Sequence, residues 1–573
     1  MTVRPAMANC ARRPPAIVSS RSGWGRPVRP LLSLALSGLL SLPAQAGPPQ
    51  ETPPQENDPV QTVDPGATGF LSTCTGTSSI TNALLQSQTF AAAVWTKDHA
   101  GNAAAPAVAA NSAMAPDGTR TASTLALPAV SSAASASFIA QATASFADWP
   151  YMADIYVKGA AGGEVLWIAA SATGAPGSFS ETKVVATPSW RRVALPWKNK
   201  TAGQKIEIGV DLRDGAQSAQ RAQSVFLWGA QLVQGTYSEW SYIPTTTAAV
   251  AGLQTVNCPA HVAFRDFSAL TEYSGNPIIP QDSAAYNAGG VSGPYMRAWS
   301  AIDGVYYGLA NCTPSGQYRG RWPTQCLYYG SLTNWTNYAG NPVIAATPGA
   351  WDDHYLLHGT ISPNCRLAAW CYYYSAMDAG NNSRIGIATS PDLRNWTKYR
   401  GNPLSISAYK ASEPSLPTMI QIGNLLYMYT SVHNNDGTWI AIWTSRVTDG
   451  IKWTYAGVAL DRPVPGDWDF ANFYSYLDPF VFRNRHGFYE MAYTTLFNGA
   501  TVQSVGYAVS ADGLTWFKYG HAPILTQFTK GYGGITHVGD AVMVEDGTTF
   551  SMLYNYDDGV SRSNGMLSQM PDY

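Results

Sequence analysis

Residues 385–405 read IGIATSPDLRNWTKYRGNPLS. Apolar and polar residues alternate up to Ser390, a polar turn follows, and the chain resumes at Trp396 and stops at Asn402-Pro403. Period-two alternation marks a half-buried strand, and two such runs joined by a polar turn predict a hairpin. The phrase recurs as FRDFSALTEYSGNPII (264–279), YYGSLTNWTNYAGNPVI (328–344), AIWTSRVTDGIKWTYAGVAL (441–460) and VGYAVSADGLTWFKYGHAPIL (505–525). Between the phrases lie hairpins with Tyr-rich second strands: YMRAWSAIDGVYYGLA (295–310), AAWCYYYSA (368–376), TMIQIGNLLYMYTS (418–431), PFVFRNRHGFYEMAYTT (479–495) and AVMVEDGTTFSMLYN (541–555). A repeated supersecondary unit is the sign of a repeat architecture. Two hairpins per unit make a four-stranded blade, so residues 259–573 are expected to form a five-bladed β-propeller. The phrase at 264–279 precedes the first hairpin and is expected to complete the last blade.

Upstream, residues 74–250 consist of short alternating stretches such as YMADIYVKG (151–159) and KIEIGVDLR (205–213), separated by turn residues. This pattern predicts a jelly-roll-like β-sandwich, and the whole chain an all-β fold. Residues 47–73 are a Pro-rich linker. Residues 1–46 carry positive charge at ARRPP and GRPVRP, an apolar core LLSLALSGLLSL, and a small-residue AQA site, as a secretory signal peptide does. The apolar run is too short for a comfortable membrane span. A secreted or periplasmic location is therefore expected.

Beyond Cys10, six cysteines remain: Cys312 and Cys326 flank one short loop, Cys365 and Cys371 another, and Cys74 and Cys258 bracket the first domain and could staple its two ends, so these three pairs are the expected disulfides. Export favours disulfides over metal ligation, and no Cys-x-x-Cys is present. Charged residues make up only 13% of the chain and the net charge is −2, which gives no electrostatic footprint for nucleic acid. The 19 Trp and 32 Tyr suit both strand cores and stacking on sugar rings. Alternation leaves Trp95, Trp228 and Trp240 open as core or as sugar platform.

The repeated Ser-x-Asp…Trp…Asn-Pro phrase resembles the five-bladed propeller glycoside hydrolases of the arabinanase/β-xylosidase and invertase/levansucrase groups. The closing WGAQLVQG…SYIPT (228–245) of the first domain resembles carbohydrate-binding-like modules of phage tail proteins and secreted enzymes. These resemblances imply a secreted glycoside hydrolase acting on an oligo- or polysaccharide, with a non-catalytic module attached. In the family, an Asp on blade one, an Asp on blade two and a Glu on blade three converge at the axis. The Glu of blade three matches Glu413 in SEPSLP, which the resemblance makes the general acid. Blade one offers Gly293-Pro294 and no carboxylate, so Asp282 in the preceding loop is the substitute. For blade two, Asp353 lies ahead of the aligned His358.

Counting back from the hairpin turns also places Asp478 on blade four and His537 on blade five at the axis. Glu413, Asp478, Asp282 and Asp353 are thus the catalytic candidates, because glycoside hydrolysis needs two carboxyls across one bond. Arg297, Trp299, His358, His537 and Tyr476 are the expected sugar-binding residues. No cofactor is expected, apart from a structural cation on the propeller axis such as some relatives hold with an axial histidine, here His537. A non-catalytic glycan-binding propeller and a polysaccharide lyase using His, Tyr and Arg are the alternatives.

Overall fold

The computed structural model describes residues 69–572 except 72, 144–148, 172–178, 199–202, 204, 214–218, 238–239, 280–290, 298–304, 313–323, 407–412, 435–436, 498–502, 527–536 and 558–563. The signal segment, most of the linker, Asp282 and Trp299 lie outside these residues. Among them the regular secondary structure is almost entirely strand, and no helix is long and apolar enough to cross a membrane.

The second half folds as five sheets, each built on a four-stranded antiparallel meander, and three of them carry further edge strands. Their innermost strands are Val291–Arg297, Tyr355–Cys365, Glu413–Ile422, Phe473–Arg483 and His537–Glu545, numbered here as blades one to five. Each packs on the next, and that of blade five packs back on blade one, which closes a ring around an axis. This is a β-propeller. Thr271–Glu272, from the first copy of the phrase, pairs with Asn564–Pro571 and supplies the outer strand of blade five.

The repeated phrase has a physical job in each blade. The indole N–H of Trp335, Trp396, Trp453 and Trp516 donates to the carbonyl three residues back (2.8–3.2 Å), pinning the turn between the two outer strands. The Asn before Pro then grips the backbone of the neighbouring strand from both sides. Asn341 accepts from the Leu327 N–H and donates to its carbonyl (2.7 and 2.9 Å). Asn402 does the same to Ile387, and Asn276 to Leu567. A side-chain amide can do this because it carries one acceptor and two donors.

Arg265, in the first phrase, secures the closure. Its buried guanidinium lies 2.7 Å from Glu490 and 3.1 Å from Asp572, also bonds Glu545, and sits over the Phe550 ring at 4.2 Å.

The first half is a sandwich of two five-stranded sheets. Trp95, Trp228 and Trp240 are all buried, so they are core. The sandwich and the propeller are continuous. Thr75–Asn82 pairs with Val250–Asn257, and Thr77 also pairs with Lys518 at the outer edge of blade four. One apolar cluster runs from Trp95 and Ile208 through Trp149 and Tyr427 to Met491 and Trp516. The pairs Cys74–Cys258, Cys312–Cys326 and Cys365–Cys371 are all disulfide-bonded.

Candidate active site

Every innermost strand carries a bulge at a corresponding place. Two residues of the strand oppose one of its neighbour at 293–294, 357–358, 416–417, 478–479 and 540–541. Three of these pairs end in proline: Pro294, Pro417 and Pro479. Proline lacks the N–H that a ladder needs, so inside a sheet it settles at bulges. The preceding residue in two of them, and Asp540 in blade five, adopts the left-handed region: Leu416 at φ 54°, Asp478 at 49°, Asp540 at 55°. Asp tolerates that conformation better than most residues. A bulge bends the strand and re-aims its side chains.

Three of these re-aimed side chains meet. His358 of blade two places Nδ1 3.2 Å from Asp478 Oδ1 of blade four and 3.9 Å from Asp540 Oδ1 of blade five. Blades two and four are not neighbours, so the cluster lies across the ring. All three are largely buried, with side-chain exposures of 7%, 7% and 14%. Asp540 is held at two points. Its backbone N–H donates to Thr494 Oγ1 at 2.9 Å, and the Asn555 amide donates to its Oδ2.

Burial, followed by the charge of Asp478, raises the Asp540 carboxyl to about 8, against the attraction of His358. Burial alone would lower the His358 imidazole, but the Asp540 and Asp478 carboxylates together leave it raised. Near neutral pH, Asp540 therefore keeps its proton while a second carboxyl and an imidazole stand beside it. That is the environment of a proton-sharing carboxyl pair. The same three residues each offer a ligand atom within 4.8 Å of the others, and among the described residues this is where a cation could sit. Two carboxylates and an imidazole suit a divalent ion, which would replace the retained proton.

The positions expected from sequence fall into two tiers. Asp478 and His358 belong to the bulge tier. Glu413 and His537 stand three residues nearer the starts of their strands, where their Cα partners are His433 and Asp557. The bulge residues of those strands are Leu416 and Asp540. So the axial carboxyl of blade five is Asp540, where His537 was expected. The side chains of Glu413, His537 and Arg297 lie outside the described residues, as do Asp282 and Trp299. Asp353 sits in the turn ahead of blade two, with its N–H on the Ala350 carbonyl at 3.3 Å, and does not join the cluster. Tyr476, expected to bind sugar, is instead wholly buried, edge-on against Tyr493 and donating to Asp469 at 2.7 Å, which leaves it no accessible surface for a sugar. Sequence reading missed Asp540 because equal counts back from turns of unequal length reached His537, three residues earlier, and no proline marks this bulge.

No protein-family model matches the chain, and no curated relative does. Among solved structures it is similar to a thermostable family-43 glycoside hydrolase: 18% identity, TM-score 0.39, covering 50% of this chain and 90% of that one. It is also similar to an α-L-arabinofuranosidase from Lactobacillus brevis, with 17% identity, TM-score 0.39, and coverage of 52% and 92%. A third is an N-acetylgalactosamine deacetylase from F. plautii, with 14% identity, TM-score 0.39, and coverage of 53% and 96%. The strand order and the closed ring of innermost strands, rather than these likenesses, make the second half a propeller.

Proposed function

We propose that the chain is an exported glycoside hydrolase that cleaves a poly- or oligosaccharide at the propeller axis. The observation that carries this is the Asp478–Asp540 pair, two buried carboxyls beside His358, one of which holds its proton near neutral pH. Glycoside hydrolysis needs one carboxyl to protonate the leaving oxygen and another to act as base or nucleophile. The two functions act from opposite sides of the bond, with carboxyls about 5 Å apart in retaining and about 6.5–9.5 Å apart in inverting enzymes. Asp478 and Asp540 offer carboxyl oxygens within 4.8 Å of each other and share a proton, and we read the pair as one unit on one side of the bond. Asp478 is the base or nucleophile, Asp540 shares its proton with it, and His358 fixes the orientation of both. The opposite side falls to Glu413 on the neighbouring blade, in the upper tier, as general acid. The three disulfides and the signal-like N-terminus support export. An axial cation would neutralise the carboxyl pair and assist sugar binding.

Release of reducing ends from arabinan, xylan, levan and other glycans tests this. Activity is expected on at least one, and is expected to be lost in Glu413→Gln and Asp478→Asn. Products absorbing in the near ultraviolet would mean lyase chemistry instead, and retention of a glycan without any product would mean a binding protein.

A further inference from the structure

We propose that Gln325 of blade one is a positioning residue of the axial site: its side-chain amide holds the blade-two bulge in the shape that turns His358 towards Asp478 and Asp540. This deepens the hydrolytic reading above, on which only the kinetic arm of the test rests. Blade one brings Gly293-Pro294 and no carboxyl to the axis. Its contribution comes from two strands further out.

Gln325 lies on Thr324–Ser331, the third strand of blade one, directly opposite Asn311 of Tyr306–Cys312. Directly opposed residues share a face. This face meets blade two, because Leu309 and Leu327, two residues along each strand, pack with Leu356, Ile361 and Tyr372. Gln325 Nε2 donates to the Leu356 and Leu357 carbonyls at 3.1 and 3.2 Å, and also to Asn311 Oδ1. The Tyr372 hydroxyl donates to Gln325 Oε1 at 3.3 Å. Backbone carbonyls can only accept, so the amide has one possible orientation. Leu357 is the first residue of the bulge and His358 the second. The two carbonyls belong to the planar peptides that lead into His358, so holding them sets the direction in which its side chain leaves the strand.

Two features separate this role from plain core support. Prolines stand in the bulges of blades one, three and four, and the bulges of blades two and five have none. In blade five, Thr494 of the preceding blade takes the Asp540 N–H at 2.9 Å instead. In blade two, Gln325 of the preceding blade takes the carbonyls. Where proline is missing, a side chain from the blade before fixes the bulge, and those two bulges carry His358 and Asp540. Second, the network is a poor way to stabilise a core. Gln325, Asn311 and Tyr372 are buried, and Asn311 Nδ2 finds no partner among the described residues. Apolar groups of the same shape would avoid the penalty of that unpaired donor, so stability alone does not explain these amides. The mount is rigid, since the Cys312–Cys326 disulfide ties the two strands next to the Asn311–Gln325 pair.

NMR of the full chain, isotope-labelled at histidine, reads the geometry directly. The His358 Nδ1–H should give a low-field signal because a carboxylate holds it, assigned by its loss in His358→Gln. Gln325→Met keeps the length and removes the amide. Its signal should broaden or vanish, and kcat on whichever glycan is cleaved should fall by about a hundredfold with KM nearly unchanged. Tyr372→Phe, which removes one hydroxyl from a packed ring, should move both readouts the same way by less. Asn341→Ala, which loosens the same blade without touching the bulge, should leave the signal in place. An unchanged signal in folded Gln325→Met, or in Tyr372→Phe if that variant fails to fold, overturns the proposal. So do equal losses in Gln325→Met and Asn341→Ala, or a parent without the low-field signal. A signal that depends on Gln325 in a chain that cleaves no glycan keeps the positioning role and removes the hydrolytic reading.

Discussion

Asp478 sits in a backbone conformation that side chains rarely adopt, before a proline that cannot join the ladder, and both facts turn its carboxyl towards His358. Replacing it with Asn keeps the shape and removes the base. Turnover is expected to fall by about a thousandfold or more while the melting temperature changes little, checked by kinetics and calorimetry. Asp540 behaves differently because it is already protonated near neutral pH. Asp540→Asn mimics that form and should keep most activity near pH 6. In the parent, the proton is lost as pH rises through about 8, so activity should decline there. In the variant that alkaline limb should vanish, and a parent-like limb would remove Asp540 from the site. At this scale the sequence was only half legible. Counting back from hairpin turns landed on Asp478 but went three residues past Leu416 and Asp540. Blade four turns through five residues, Asn484–Phe488, whereas blade three turns through Gly423-Asn424. Equal counts from unequal turns reach different tiers.

The strand pair with its Trp and Asn-Pro was the most legible element, because its geometry is local. Trp396 bonds three residues back, and Asn402 reaches a strand within the same phrase. These contacts predict where a blade is sensitive. Asn341→Ala would leave the Leu327 N–H and carbonyl without their side-chain partner in a largely buried setting. A loss of about 2–4 kcal/mol in unfolding free energy is expected, measured by denaturant titration. Asn395→Ala, whose amide bonds only the exposed Asp392 turn, should cost under about 1 kcal/mol. Equal losses would contradict the clasp. The bulges were less legible: proline flags three of them, but Leu357-His358 and Asp540-Ala541 carry no such flag.

The whole molecule responds to pH through groups far apart in sequence. Burial, then the charge of Glu490, raises Glu545 to about 7, and burial raises Glu207 to about 7 and Asp540 to about 8. A carboxyl whose folded value lies above its unfolded one keeps, on folding, a proton that the unfolded chain releases. Stability therefore declines as pH rises from about 4.5 through 7–8. The raised His358 acts in the same direction, since its contribution is complete below the ordinary imidazole value and is lost as pH rises through its folded value. The melting temperature is expected to be higher at pH 5.5 than at pH 8.5 by about 3–6 °C, and a flat or rising trend would refute this. None of these partnerships was legible in sequence. Arg265 meets Glu490, Glu545 and Asp572 only because the ring closes. The cysteine pairs were legible because proximity and export limited the choices.

The ribbon of Thr75–Asn82 and Val250–Asn257 on blade four has a consequence for how the protein may be cut. An outermost strand presents unpaired amides that recruit other chains into fibrils, and proteins blunt such strands by covering them. Here the ribbon supplies the cover, with Cys74–Cys258 locking its two strands together. A chain that starts at Pro259 would bare Trp516–Lys518 together with the apolar surface around Met491 and Trp516. The front half is thus a built-in guard against self-association, and its removal should make the propeller aggregate.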